Sequence, residues 1–312
     1  MNWSMISCRL NVMKTLLSLS KALSFIFPAF ITFSVLNSAL TNPAAAQPSS
    51  QSSATPEHAV GLKEQLVSVE LSPGIQQQGV LSLAANSTAP TRLAVLFPGY
   101  PSVVRPVVEG QSMTSSKLSG NFLIRSRRHL ATDAIATVVV DCHSDSGDYC
   151  SSTYQASSKR HQDVLKLIQE VKKQYPSIQQ VWAIGTSMGT VSSSFALTHE
   201  PNIYAGAIHT ASITEPNARN SYRELSNFDY AKANHIFIHH LNDPCYLTTH
   251  SGAKSIADKY ELPLITVKGG GGFSGDACKA FTEHGFRGKE KEVMTAIGKI
   301  LMTGRVEALL ID

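Results

Sequence analysis

Ser187, Asp243 and His284 are the residues of this chain whose types and settings could carry out nucleophilic chemistry together. A serine hydroxyl attacks an acyl carbon poorly unless a base removes its proton as the bond forms. A neutral imidazole near pH 7 can take that proton and return it to a leaving group. A carboxylate on the far side of the ring would fix the tautomer and stabilise the imidazolium. Ser187 lies in Gly185-Thr-Ser-Met-Gly189, after the apolar run Val181-Trp-Ala-Ile184 and before the helix-compatible Val191-Ser-Ser-Ser-Phe-Ala-Leu197. A strand that enters a helix through so tight a turn strains the serine backbone. Glycines two residues to either side remove the Cβ atoms that would hold strand and helix apart.

Asp243, in Asp243-Pro-Cys245, directly follows the strand-like His235-Ile-Phe-Ile-His-His-Leu241. His284, in His284-Gly-Phe286, follows the last expected strand, Leu264–Lys268, beyond the glycine run Gly269–Gly272. That run lacks the G-K-[ST] and the helix start of a phosphate loop. Asp276 is the reserve candidate for the acid. His239 and His240 fall on opposite faces of one strand and His209 near the end of another, so structural roles are expected for all three.

The elements that must position these groups are legible as apolar periodicity. Gln65–Leu71 alternates like a half-buried strand, and Gly79–Ala84 is a second strand that could pair with it as an edge hairpin. Thr91–Phe97, Ile135–Asp141, Val181–Ile184, Ile203–Ser212, His235–Leu241 and Leu264–Lys268 are apolar enough for strands buried on both faces. Between them, Ser119–Ala131, Lys159–Tyr175 and residues 289–303 have helical spacing; Val164, Leu167, Ile168 and Val171 share a face of the second. This alternation predicts an α/β domain over residues 63–312, with a doubly wound, mostly parallel sheet and helices on both faces. In such a sheet, ligands bind at the C-terminal ends of the strands, and Ser187, Asp243 and His284 all fall there. The 22 residues 213–234 leave room for a loop and one short helix, so little or no lid is expected. Arg125, Arg127 and Arg128 read as a solvated helix face. Asp141, Asp145 and Asp148 read as a solvated loop, because their spacing lacks the glycine and distal glutamate of an EF-hand.

On these motifs the chain resembles the α/β-hydrolase superfamily, in which the triad runs in the order Ser…Asp…His. It is similar to small exported serine hydrolases with G-T-S-x-G and D-P-C … H-G-F motifs, over about residues 65–303. The resemblance implies an α/β-hydrolase fold, with Ser187 as nucleophile, His284 as base and Asp243 as acid. It also implies an oxyanion hole from the N–H groups of Met188 and Tyr100. Phe97-Pro-Gly-Tyr100 stands where many relatives carry His-Gly, so Tyr100 departs from the pattern.

The totals fit this reading. With 43% hydrophobic and 16% charged residues the chain can bury a sizeable core. The net charge is +4, but Arg9, Lys14 and Lys21 supply three of those charges before residue 47, and no basic run interleaved with aromatics follows, so nucleic acid is not an expected partner. Residues 1–46 read as a signal peptide, with basic residues, the apolar Ala22–Leu36 and Ala44-Ala-Ala46 as cleavage site. The alternative is an uncleaved membrane anchor. Residues 47–62 read as a disordered polar linker. Cys8 lies in the leader; Cys142, Cys150, Cys245 and Cys278 remain and allow three pairings. The expected pairs are Cys245–Cys278, which would tie the loops of Asp243 and His284 together, and a local Cys142–Cys150; the alternatives are crossed pairing or four free thiols. The expected protein is a secreted or periplasmic serine esterase acting through an acyl-enzyme on a small-molecule or acyl ester, with no metal, no cofactor and no stable membrane association after signal cleavage. A peptidase or acyltransferase, or a non-catalytic binding protein on the same fold, are the alternatives.

Overall fold

The computed structural model describes residues 55–312. The expected signal peptide and most of the expected linker lie outside the described residues. From residue 55 onward the linker expectation gives way to ordered chain: Glu57–Ala59 form a 3-10 turn with Ala59 buried, and the first strand starts at Leu62.

In chain order the elements are β1 Leu62–Ser72, β2 Ile75–Ala84, β3 Arg92–Phe97, β4 Val107–Glu109, β5 Ser112–Ser115, α1 Phe122–Ser126, β6 Ile135–Val140, α2 Ser152–Ala156 and α3 Ser158–Gln174. They continue with β7 Gln180–Ser187, α4 Gly189–His199, β8 Tyr204–Ser212, β9 His235–His240, α5 His250–Tyr260, β10 Leu264–Val267, α6 Glu290–Thr303 and β11 Leu310–Ile311.

Side chains alternate across a strand, so a strand covered on both faces must be apolar throughout. Leu93, Val95 and Phe97 of β3 pack with Val164, Leu167, Ile168 and Val171 of α3 on one face. Ala94 and Leu96 pack with Phe122 and Leu123 of α1 and Ile297 of α6 on the other. Each such buried Val, Leu, Ile or Phe contributes about 1.5–3 kcal/mol relative to exposure, which is why β3 carries its one charge, Arg92, at its first and only partly exposed position.

The strands form one nine-stranded sheet in the order β1-β2-β6-β3-β7-β8-β9-β10-β11. β1 pairs antiparallel with β2, and β2 with β6; from β6 to β11 every pair is parallel. The expected edge hairpin and doubly wound sheet are therefore present, with helices on both faces. From β3 the chain runs through α1 to β6 on one side; from β7 it runs through α4 to β8 on the other. β3 and β7 are neighbours, so the loops leaving their C-terminal ends diverge and open a crevice. Gly99 and Tyr100 follow β3 there, and Ser187 ends β7.

Several elements depart from expectation. The β4–β5 hairpin and β11 were not expected; β4 and β11 are three and two residues long, too short for a periodic signal. Residues 213–234 hold three 3-10 turns rather than one short helix. Arg127 is not on a solvated face. It is fully buried, and its Nε and Nη2 each donate at 2.8 Å to the carboxylate of Glu64. Arg125 is also largely buried. It donates from Nη1 to the carbonyl of Gly120 at 2.7 Å, from Nη2 to that of Gly285 at 2.6 Å, and pairs with Glu290. Asp141 is likewise no solvated loop residue. It is buried and accepts from the N–H groups of Val104, Arg105 and Cys142 and from the Arg105 guanidinium.

Candidate active site

The turn at Ser187 is as tight as its glycines foretell. Ser187 has φ 51°, a left-handed conformation for a residue with a side chain, which costs about 1 kcal/mol or more and persists only where packing enforces it. A Cβ on Gly189 would stand 2.0 Å from the carbonyl oxygen of Phe97, and one on Gly185 would stand 2.6 Å from that of Gly189. Strand and helix thus approach only because both positions are glycine. Thr190 steadies the turn, its hydroxyl donating to the Ser187 carbonyl at 2.6 Å. On the β3 side, a Cβ on Gly99 would meet the Ser187 Cβ at 3.1 Å.

His284 sits in the 3-10 turn Glu283–Gly285, whose N–H at His284 is received by the Thr282 hydroxyl. The ring is almost fully buried; its Nδ1 lies 3.1 and 3.3 Å from the two carboxylate oxygens of Asp243. With Nδ1 donating to a carboxylate, the ring keeps its proton there, and Nε2 is left with a lone pair. The side chain of Asp243 is fully buried and accepts from the Cys245 N–H at 2.9 Å and from the Thr248 hydroxyl at 2.8 Å. The Thr248 oxygen is also 3.0 Å from His284 Nδ1. Thr248 therefore touches both the acid and the base, a part that nothing in its sequence setting announced.

The cysteines pair as Cys142–Cys150 and Cys245–Cys278. The second pair joins the loop after β9, which carries Asp243, to the segment leading into His284. The first closes the loop after β6, and the Cys150 N–H donates to the Pro101 carbonyl at 3.0 Å, which fixes that loop against the one after β3. Asp276, the reserve acid, is exposed and is not a partner of His284.

Ser187, His284, Gly99 and Tyr100 line one cleft of about 330 Å³ with Pro101, Leu118, Asn121 and Phe122. Asp243 stands behind the imidazole and does not line it. No hydrogen bond joins Ser187 to His284 among the described residues. Met188 is fully buried and is the N-cap residue of α4; the Tyr100 side chain is exposed at the rim, its ring centroid 5.8 Å from that of Tyr149. Neither the Met188 nor the Tyr100 N–H is donor in a turn or capping hydrogen bond among the described residues.

Of the remaining buried histidines, those on β8 and β9 contact neighbouring strands and loops. His209 contacts Ser193 at 2.8 Å and His235 at 2.9 Å; His239 accepts from the N–H and hydroxyl of Ser212; His240 contacts the Gly269 carbonyl. Burial pushes His239 down to about 3 and His235 to about 4, so both are neutral at pH 7. No cluster of three or more acidic, His or Cys side chains fit to hold a metal occurs among the described residues.

By sequence the chain matches no family model and no curated protein. Among solved structures it is similar to Est1E from Butyrivibrio proteoclasticus, at 13% identity and a TM-score of 0.52, over 77% of this chain and 98% of that one. A protein of unknown function from Agrobacterium tumefaciens also aligns, at 14% identity and a TM-score of 0.49, over 78% and 98% of the two chains. At such identities the likeness is one of fold.

Proposed function

We propose that this chain, whose fold is that of the α/β-hydrolases, is a serine hydrolase that cleaves carboxylic esters through an acyl-enzyme. The observation that supports the reading is the buried Asp243–His284 contact, beside a cleft that His284 lines together with a strained, turn-tip Ser187.

Ser187 attacks the ester carbonyl carbon while His284 Nε2 takes its proton. The carbonyl electrons move onto oxygen, where the N–H groups of Met188 and Tyr100 receive the developing charge; removing one such donor typically costs about 3–4 kcal/mol of barrier. The tetrahedral adduct collapses, the C–O bond breaks, and the imidazolium returns the proton to the leaving alkoxide. Water then enters and attacks the acyl carbon while His284 takes its proton; the bond from that carbon to the Ser187 oxygen breaks, the imidazolium returns the proton to that oxygen, and the acid leaves. Asp243 stays ionised throughout and stabilises the imidazolium.

The cleft and the absence of a long insertion over it fit a small, accessible ester. Two cysteine pairs support export to an oxidising compartment, and no helix among the described residues is long and apolar enough to cross a membrane. The test is turnover of p-nitrophenyl acetate, butyrate and octanoate beside the matching anilides. Ester hydrolysis lost in Ser187→Ala is expected. Anilide hydrolysis as fast as ester hydrolysis would turn the reading toward a peptidase, and no turnover of either would count against it.

A further inference from the structure

Asn121 stands in the cleft with one half of its amide committed and the other half free. It is the N-cap of α1, and its Oδ1 accepts from the Leu123 N–H at 3.1 Å. That bond fixes which end of the amide is which, so Nδ2 must point the other way. There it lies 3.5 Å from the position a Cβ on Gly99 would occupy, a position itself 3.1 Å from the Ser187 Cβ. Asn121 Nδ2 has no hydrogen-bond partner among the described residues, while Asn121 lines the same cleft as Ser187 and His284.

The residue is also held rigidly. Its N–H donates to the Leu118 carbonyl at 2.8 Å. Arg125 grips the preceding carbonyl, Gly120, and with a second nitrogen the carbonyl of Gly285, the residue after the proposed base. One buried guanidinium thus fixes the turn of Asn121 against the turn of His284. A donor placed beforehand, with no reorganisation needed as charge develops, is the kind that lowers a barrier.

We propose that Asn121 is a third donor to the carbonyl oxygen of the bound ester, its Nδ2–H completing the set begun by the Met188 and Tyr100 N–H groups. It flanks Gly99-Tyr100, the segment that carries one of the two proposed N–H donors, and it lines the same cleft. The proposal rests on the serine-hydrolase reading above.

Serine and aspartate are good helix N-caps, so Asn121→Ser and Asn121→Asp keep the cap and lose the free N–H donor. Steady-state kinetics on p-nitrophenyl butyrate, inhibition by phenylboronic acid as a tetrahedral-adduct probe, and thermal melts should be measured on both, with Ser187→Ala as control. The expected result is a kcat about 100-fold lower with KM little changed, boronate binding weakened in parallel, and melting temperatures close to the parent. Unchanged kcat in Asn121→Ser, or a change in KM alone, would overturn the proposal while leaving the hydrolase reading intact. Turnover that survives Ser187→Ala, or no turnover by the parent protein, would overturn both.

Discussion

Replacing Thr248 by valine removes one oxygen and almost no volume, and it probes how acid and base are held together. The Thr248 hydroxyl donates to Asp243 at 2.8 Å and its oxygen lies 3.0 Å from His284 Nδ1. Asp243 keeps two further partners in Thr248→Val, the Cys245 N–H and the imidazole. What is lost is one hydrogen bond to a buried charge, worth about 1.5–3 kcal/mol. Part of that falls on the ground state and lowers stability. The rest falls on the transition state, where the imidazolium forms and needs its carboxylate fully oriented. With about half of it on the transition state, at about 1.4 kcal/mol per tenfold, kcat should drop roughly three- to tenfold with KM within about twofold. The assay is kcat and KM on p-nitrophenyl butyrate across pH, beside a melt for each variant. Thr248→Ser keeps the hydroxyl and should recover most of the rate. Parental kcat and stability in Thr248→Val would refute the bridging role; equal losses in Val and Ser variants would assign the effect to the methyl group instead.

Three further outcomes are expected. Replacing Cys245 and Cys278 together by alanine opens a loop spanning a sequence separation of 33, which should lower unfolding free energy by roughly 3–4 kcal/mol; chemical denaturation checks this, and peptide mapping that joined Cys142 to Cys278 would contradict the pairing. Arg127→Met should cost about 3–5 kcal/mol because it strands a buried carboxylate. Burial alone would raise the Glu64 carboxyl, but Arg127, the Ser82 hydroxyl and the Met113 N–H outweigh it; recovery of stability in the Arg127→Met, Glu64→Leu double variant would identify the unpaired charge as the cause. Finally, burial holds His161 and His239 down to about 3, His235 to about 4 and His209 well below its ordinary value. The folded protein keeps these rings neutral while the unfolded chain protonates them below about 6.5, so stability is full above that pH. It should fall by about 1.4 kcal/mol per histidine per pH unit as pH drops toward 4. Melts from pH 7.5 to 5 that show no such decline would contradict this.

The sheet was legible because strands covered on both faces must be apolar, and β6, β7, β8 and β3 after Arg92 carry no Asp, Glu, Lys or Arg. The turn at Ser187 was legible because its two glycines are demanded by contacts as short as 2.0 Å. The positions of Asp243 and His284 followed from where strands end. Buried charge was not legible: Arg127 and Glu64 lie 63 residues apart, and a pattern within one helix cannot reveal a partner on another strand. Asp141 went unseen for the same reason, its main partners lying on the loop after β3. Thr248 and Asn121 escaped because a threonine after a strand and an asparagine before a helix are ordinary capping residues; only their neighbours in space give them other work. β11 was invisible because two residues carry no period.

Every step of the proposed chemistry requires Ser187 as the nucleophile that His284 activates. Incubation of the folded protein with a fluorophosphonate, followed by mass mapping of the modified peptide, tests this most directly. The phosphonyl group should be found on Ser187, with labelling abolished in Ser187→Ala and slowed by orders of magnitude in His284→Ala. A folded protein that takes up no label, or takes it up on another residue at the same rate after Ser187→Ala, would contradict it.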